Sequence, residues 1–178
     1  MNYQQAKEYI QSIQSGAKIK PGLEVIGNLL ELLGNPQDEL TFIHIAGTNG
    51  KGSTASMISS VLAEGGLKVG RYVSPAVFSE FEKIRWMKGR QTVYISETEF
   101  VEIMEEIRKA IDSMKEHGLS LPTEFEIETA AAFLAFHRWN CDIVVLETGM
   151  GGKLDATNVV KNVQCAVITP IALDHMKF

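Results

Sequence analysis

The chain holds little that would tie it to a membrane, a nucleic acid or an oxidising compartment. It has two cysteines, Cys141 and Cys165, in no metal-binding or redox spacing. Each sits at the mouth of an apolar strand and is expected to be a buried free thiol, as in a reducing cytoplasm. No apolar run approaches the roughly eighteen residues of a membrane span. The first ten residues have no signal-peptide core, so a cytoplasmic protein with no membrane partner is expected. Acidic residues outnumber basic ones by 22 to 17, and no Lys/Arg cluster is interleaved with aromatics, which argues against a nucleic-acid partner. Internal repeats, low-complexity segments and linkers are also missing. What remains is 178 residues of ordinary apolar and charged content, enough for one domain with a sizeable core.

The most informative stretch is 41–54, Thr-Phe-Ile-His-Ile-Ala-Gly-Thr-Asn-Gly-Lys-Gly-Ser-Thr. Thr41 to Ala46 reads as a short buried strand, Gly47 to Ser53 as a glycine loop, and Thr54 to Glu64 as a helix. Strand, glycine loop and helix together form an anion site. Backbone N–H groups close on a phosphate, the helix N-terminus adds a partial positive charge, and Lys51 adds a full one. A hydroxyl just after the lysine, here Ser53, suits the magnesium of a nucleotide. The loop departs from G-x-x-x-x-G-K-[ST]: the first glycine would fall at Ile45, and Gly52 separates Lys51 from Ser53. A ligand-free glycine turn is the rival reading, but such a turn has no use for a lysine where the helix dipole disfavours it.

The remaining periodicities give an α/β fold, a mostly parallel sheet flanked by helices. Residues 3–15 read as an amphipathic helix with Tyr3, Ala6, Ile10 and Ile13 on one face, ended by Gly16. Pro21 opens a helix through Leu33, stopped by Gly34. The helix after the loop would turn Met57, Ile58, Val61 and Leu62 inward. Leu67 to Val73 is a strand, parallel to the first across a helical crossover. Residues 74–90 show no clean period and read as a charged loop at a strand's C-terminal end, where ligands bind in open α/β sheets. Thr92 to Ile95 is a brief strand. Ser96 with Glu99, and Thr123 with Glu126, are capping boxes opening two helices, the second apolar nearly all round.

Asp142 to Glu147 is a continuous apolar strand tipped by an acid and a glycine turn, the setting of a magnesium-holding carboxylate beside a phosphate loop. The loop 149–158 carries Asp155 and Asn158, which either satisfy local turn N–H groups or line a pocket. Gln164 to Thr169 is the fifth candidate strand. Beyond it, Asp174-His175 is a candidate metal or phosphate ligand at the same sheet edge.

The loop Gly47–Ser53, the run from Leu146 to Asn158 with its Leu-Asp-Ala-Thr-Asn block, and the closing Ile-Ala-Leu-Asp-His175 resemble folylpolyglutamate synthase and dihydrofolate synthase, of the Mur ligase superfamily of ATP-dependent amide ligases. The resemblance implies a P-loop NTPase-like Mur ligase central domain and a reaction that joins L-glutamate to the carboxylate of dihydropteroate or folate through an acyl phosphate, with ATP and Mg²⁺. It implies that Gly47, Thr48, Asn49, Gly50, Lys51, Gly52, Ser53 and Thr54 hold the nucleotide, and that Lys51, Glu147 and His175 serve catalysis. Ser53, Ser74, Glu147 and His175 would hold magnesium. Thr123, Glu124, Phe125, Glu126, Leu154 and Asp155 would face the pterin substrate, and Glu82 and Ile84 would end a substrate loop. Two departures stand out: Ala76-Val77 where the family has His-Leu, and Lys153 where it has arginine. The family's chains are longer, so residues 1–178 are expected to be a truncated N-terminal ATPase domain, inactive alone, without the C-terminal ligase domain. The full-length protein is expected to be a monomer. A non-catalytic nucleotide-binding module and a cell-wall Mur-type ligase are the alternative readings.

Overall fold

The computed structural model describes residues 1–14, 22–76 and 79–172. Its eleven longer elements run α1 (Tyr3–Gln14), α2 (Glu24–Leu32), β1 (Phe42–Ala46), α3 (Lys51–Glu64), β2 (Val69–Tyr72), β3 (Ile84–Lys88), β4 (Gln91–Tyr94), α4 (Glu97–Glu116), α5 (Glu124–Arg138), β5 (Ile143–Glu147) and β6 (Val163–Ile168). The six strands form one sheet in the order β4-β3-β2-β5-β1-β6. The four strands from β2 to β6 are parallel, and β3 and β4 add an antiparallel edge.

Strand alternation divides the core in two. On one face, Phe42, Tyr72, Val144 and Leu146 pack with α1, α2, α4 and α5 into the larger cluster. On the other, Ile45, Val69, Val73 and Val145 meet α3 through Ala55 and Ala63. Both capping boxes form: Ser96 Oγ accepts from the Glu99 amide and Thr123 Oγ1 from the Glu126 amide, each with the reciprocal carboxylate bond. Ten residues of α5, from Glu126 to Phe136, are buried, as its all-round apolar pattern requires.

Three expectations need correction. Segment 74–90 is not all loop: after a 3₁₀ turn at Glu80–Lys83, its last part is β3, antiparallel to β2. Trp86 lies within that strand, its ring 4.5 Å from the Lys68 ammonium. The inner face of α3 is Ala55, Ser59 and Ala63, flanked by the partly buried Ile58 and Leu62 as expected, while Met57 and Val61 are exposed at 62% and 72%. A helix lying close on a sheet needs small residues at the contact, and an i, i+4 row of Ala and Ser supplies them. Cys165 is exposed rather than buried, because β6 is an edge strand with most of its residues open to solvent; Cys141 is buried, and burial pushes its thiol up to about 12.

Gly70 is where β2 meets α5 most tightly. A Cβ there would lie 2.7 Å from Cδ1 of the Phe136 ring. Gly70→Ala is therefore expected to destabilise the chain by about 1–3 kcal/mol through overpacking, read as a lower urea midpoint. An unchanged midpoint would show that the ring has room to move.

Candidate functional site

Parallel pairing brings the sequence's best candidates together. Ile45 stands opposite Glu147 on β5, and Tyr72 opposite Leu146, so β1, β5 and β2 end side by side. Their C-terminal tips release the glycine loop, the Glu147–Thr148 turn and Ser74 at one edge, the place where open parallel sheets bind ligands.

The loop is shorter than the sequence reading made it. Gly50 is the N-cap, in the left-handed region at φ 85°, and α3 begins at Lys51, so Lys51, Gly52 and Ser53 form its first turn. Amides of a first turn have no acceptor within their own helix, and the dipole favours an anion there. The amides of Thr48 and Asn49 are already used, donating to the Pro170 carbonyl at 3.1 and 3.3 Å. Thr48 Oγ1 also ties down Ala172, accepting from its amide at 3.0 Å. The Gly50–Ser53 side of the loop is thus the part that offers donors. Gly47 is required where it stands: φ is 139°, and a Cβ would fall 2.0 Å from Thr169 Oγ1. The sequence reading did not reveal Thr169 and Pro170 as the loop's support, since only the β1–β6 pairing places them there.

Glu147 is 5% exposed, on the α3 face. Lys51 Nζ lies 4.0 Å from its Oε1 and donates to the Thr48 carbonyl at 3.4 Å. A Cβ on Gly52 would come 3.4 Å from Oε2, an ordinary contact, so the first turn of α3 lies directly beside the acid. Burial raises the Glu147 carboxyl to about 6, against the opposing pull of Lys51, then Arg71, then the Ser74 amide. Among the described residues no cluster of three or more His, Cys, Asp or Glu side chains could hold a metal. One buried carboxylate, bonded by the Ser74 amide and close to the first turn of α3, instead fits Mg²⁺, which takes one or two carboxylates and completes its shell with phosphate oxygens and water. His175 lies outside the described residues.

The substrate-side candidates fall nearby. Phe125 packs under Gly149, where a Cβ would meet its ring at 2.5 Å, and its centroid is 6.2 Å from that of Tyr72. Glu124 lines a cavity of about 200 Å³ with Tyr3, Lys7, Phe81, Lys83 and Glu128. Lys83 bridges Glu80 and Glu128 at 2.7 Å each. Thr123 and Glu126 spend their side chains capping α5. The choice left open for Asp155 resolves toward the turn: it accepts from the amides of Met150 (2.8 Å) and Thr157 (3.0 Å) and from Thr157 Oγ1 (2.5 Å). Asn158 likewise donates to the Lys153 carbonyl. Leu154 is exposed.

Comparison with known proteins agrees with this geometry. Residues 45–178 match the model of the Mur ligase middle domain, and the chain belongs to that family. Within it, the chain is similar to the folylpolyglutamate and dihydrofolate synthases. It is 39% identical over 176 residues to the dihydrofolate synthase/folylpolyglutamate synthase of Bacillus subtilis, covering 98% of this chain and 39% of that protein. The crystal structure of folylpolyglutamate synthase from Thermotoga maritima superposes with a TM-score of 0.85 at 43% identity, over 96% of this chain and 38% of that one. A folylpolyglutamate synthase complex with AMPPCP and folate gives 0.88 at 36% identity, over 99% and 42%. The chain thus spans about two-fifths of the length of the relatives it matches.

The raised Glu147 carboxyl has a consequence for stability. The unfolded chain releases this proton near 4.5 and the folded one near 6, so the folded state binds more protons between those values and stability falls as pH rises through that window. At ~1.4 kcal/mol per pH unit this is worth about 2 kcal/mol. Urea titrations from pH 4.5 to 6.5 are expected to show that loss in the native chain relative to Glu147→Gln. Parallel curves would contradict it.

Proposed function

We propose that this chain is the phosphate- and magnesium-binding part of an ATP-dependent ligase that joins L-glutamate to the carboxylate of dihydropteroate or folate. The observation that carries the reading is the buried Glu147 carboxylate facing Lys51 and the first turn of α3. Support for the substrate class comes from the Leu-Asp-Ala-Thr-Asn block and from the relative solved with AMPPCP and folate.

In this reaction the γ-phosphoryl group of ATP passes to the acceptor carboxylate, giving ADP and an acyl phosphate. The amine of L-glutamate then attacks the acyl carbon and loses a proton, and the tetrahedral intermediate expels phosphate to leave the amide. Lys51 and the amides from Gly50 to Ser53 hold the phosphates and take up charge as the γ-phosphoryl group leaves. Glu147, Ser74 and Ser53 would hold Mg²⁺, with His175 serving a second ion as the family resemblance implies. When bound, magnesium neutralises phosphate charge and aligns the transferring group. Phe125, under the Gly149 turn, and Glu124, at the neighbouring cavity, face the side where the pterin would enter. Asp155 acts there by shaping the turn, since its oxygens are engaged by Met150 and Thr157. The full-length ligase is read as a cytoplasmic monomer, in keeping with two unpaired cysteines. Among the described residues no helix is long and apolar enough to cross a membrane.

These 178 residues alone are expected to bind Mg-ATP without completing ligation. In calorimetric titration Lys51→Ala should weaken ATP binding by at least about tenfold, the loss of one charge-assisted contact. Unchanged ATP affinity in that variant would sink the nucleotide reading. ADP release by the native chain on adding L-glutamate and dihydropteroate would show that the residues described suffice for chemistry.

A further inference from the structure

Arg71 is a cation inside the sheet. It lies on the α3 face between Val69 and Val73, both members of the small apolar cluster, with 9% of its surface exposed. A guanidinium in such a place is costly unless its N–H groups find acceptors. Its Nε and Nη1 are buried and have no hydrogen-bond partner. Directly across the ladder stands Arg85 on β3, a second cation, whose Nε is also buried without a partner. Arg85 donates from Nη1 to the Tyr94 hydroxyl at 3.0 Å and lies over the Tyr94 ring. Arg85 is thus partly satisfied by Tyr94, its partner on β4, but like charges placed directly opposite one another weaken a strand pair, so the sheet does not explain Arg71.

Position says what they face. Arg71 pairs with Val145, two residues before Glu147 on the same face, a separation of about 7 Å along the strand. Burial, and then the charge of Arg85, pushes the Arg71 guanidinium down to about 10, so it remains a cation at neutral pH; Glu147, Tyr94 and Glu82 pull the other way. Two cations with three orphaned donors, next to a phosphate loop, make a receptor for an oxyanion. The planar fork of arginine matches a carboxylate or a phosphoryl group.

We propose that Arg71 and Arg85 form an oxyanion subsite beside Lys51 and Glu147, taking up the acceptor's carboxylate or the γ-phosphoryl group as the two are brought together. The subsite rests on the ligase reading above. Arg71 also helps to hold the Glu147 charge, so thermal stability does not separate a structural from a ligand-binding role; selectivity among ligands does.

The test is to measure thermal midpoints and titrations with Mg-ADP, Mg-ATP and dihydropteroate for the native chain, Arg71→Met, Arg71→Lys and Arg85→Met. Arg71→Met is expected to keep a single cooperative melt and to lose at least about tenfold in affinity for one ligand. Loss of ATP with ADP untouched assigns the γ-phosphoryl group, and loss of dihydropteroate with both nucleotides untouched assigns the acceptor carboxylate. Arg85→Met should weaken the same ligand, and Arg71→Lys should recover part of the loss. Native-like binding of all three ligands by Arg71→Met would overturn the subsite alone, as would an equal loss of all three. A native chain that binds neither ATP nor dihydropteroate would overturn the ligase reading and the subsite with it.

Discussion

A single carboxylate sets the terms for this end of the molecule. Glu147 sits at the tip of β5, nearly out of contact with water, and its charge is supported from outside its own strand by Lys51, Arg71 and the Ser74 amide. Burying a carboxylate costs several kcal/mol unless it is paired or coordinated, so the surroundings are built to offset that cost. Lys51, at 4.0 Å, is close enough to stabilise the charge and too far to occupy its lone pairs. The acid is left able to take a cation that arrives with a phosphate.

The rest of the architecture follows from keeping that arrangement fixed. Parallel pairing of β1 and β2 with β5 aligns the loop, the acid and Ser74 at one edge without any of them being close in sequence. Helix α3 must approach the sheet closely for its first turn to face Glu147. That is why its inner row is Ala55, Ser59 and Ala63. The anchor from β6, through Thr169 and Pro170, holds the outer half of the loop and leaves the helix-side amides to the ligand. The larger core beneath α4 and α5 supplies stability from the opposite face.

Much of this was legible in the sequence, and the exceptions have physical causes. The glycine loop between β1 and α3 and the Glu147 strand could be read because glycines interrupt regular structure and a continuous apolar run marks a strand covered on both faces. Both capping boxes were legible because the signal is local. The inner face of α3 was half read, Ile58 and Leu62 correctly and Met57 and Val61 not, because apolar periodicity points to the largest side chains, whereas close helix–sheet packing selects the smallest. Strand β3 was hidden because Ile84, Arg85, Trp86, Met87 and Lys88 alternate without a polar–apolar contrast, and its partner β2 identifies it only once the hairpin forms. Cys165 was assigned to the core on the apolar character of its strand, which says nothing about whether that strand lies at the sheet's edge. Asp155 remained ambiguous because a turn-forming and a pocket-lining aspartate look alike until the donors to its carboxylate are known.

The account turns on Glu147 receiving magnesium together with nucleotide phosphate. The most direct measurement is the magnesium dependence of ATP affinity, compared between the native chain and Glu147→Gln, which keeps the shape and removes the charge. The native chain should bind ATP at least about tenfold more tightly with Mg²⁺ than without, and the variant should lose that gain while still binding metal-free nucleotide through Lys51 and α3. A variant that keeps the full magnesium enhancement would contradict the account.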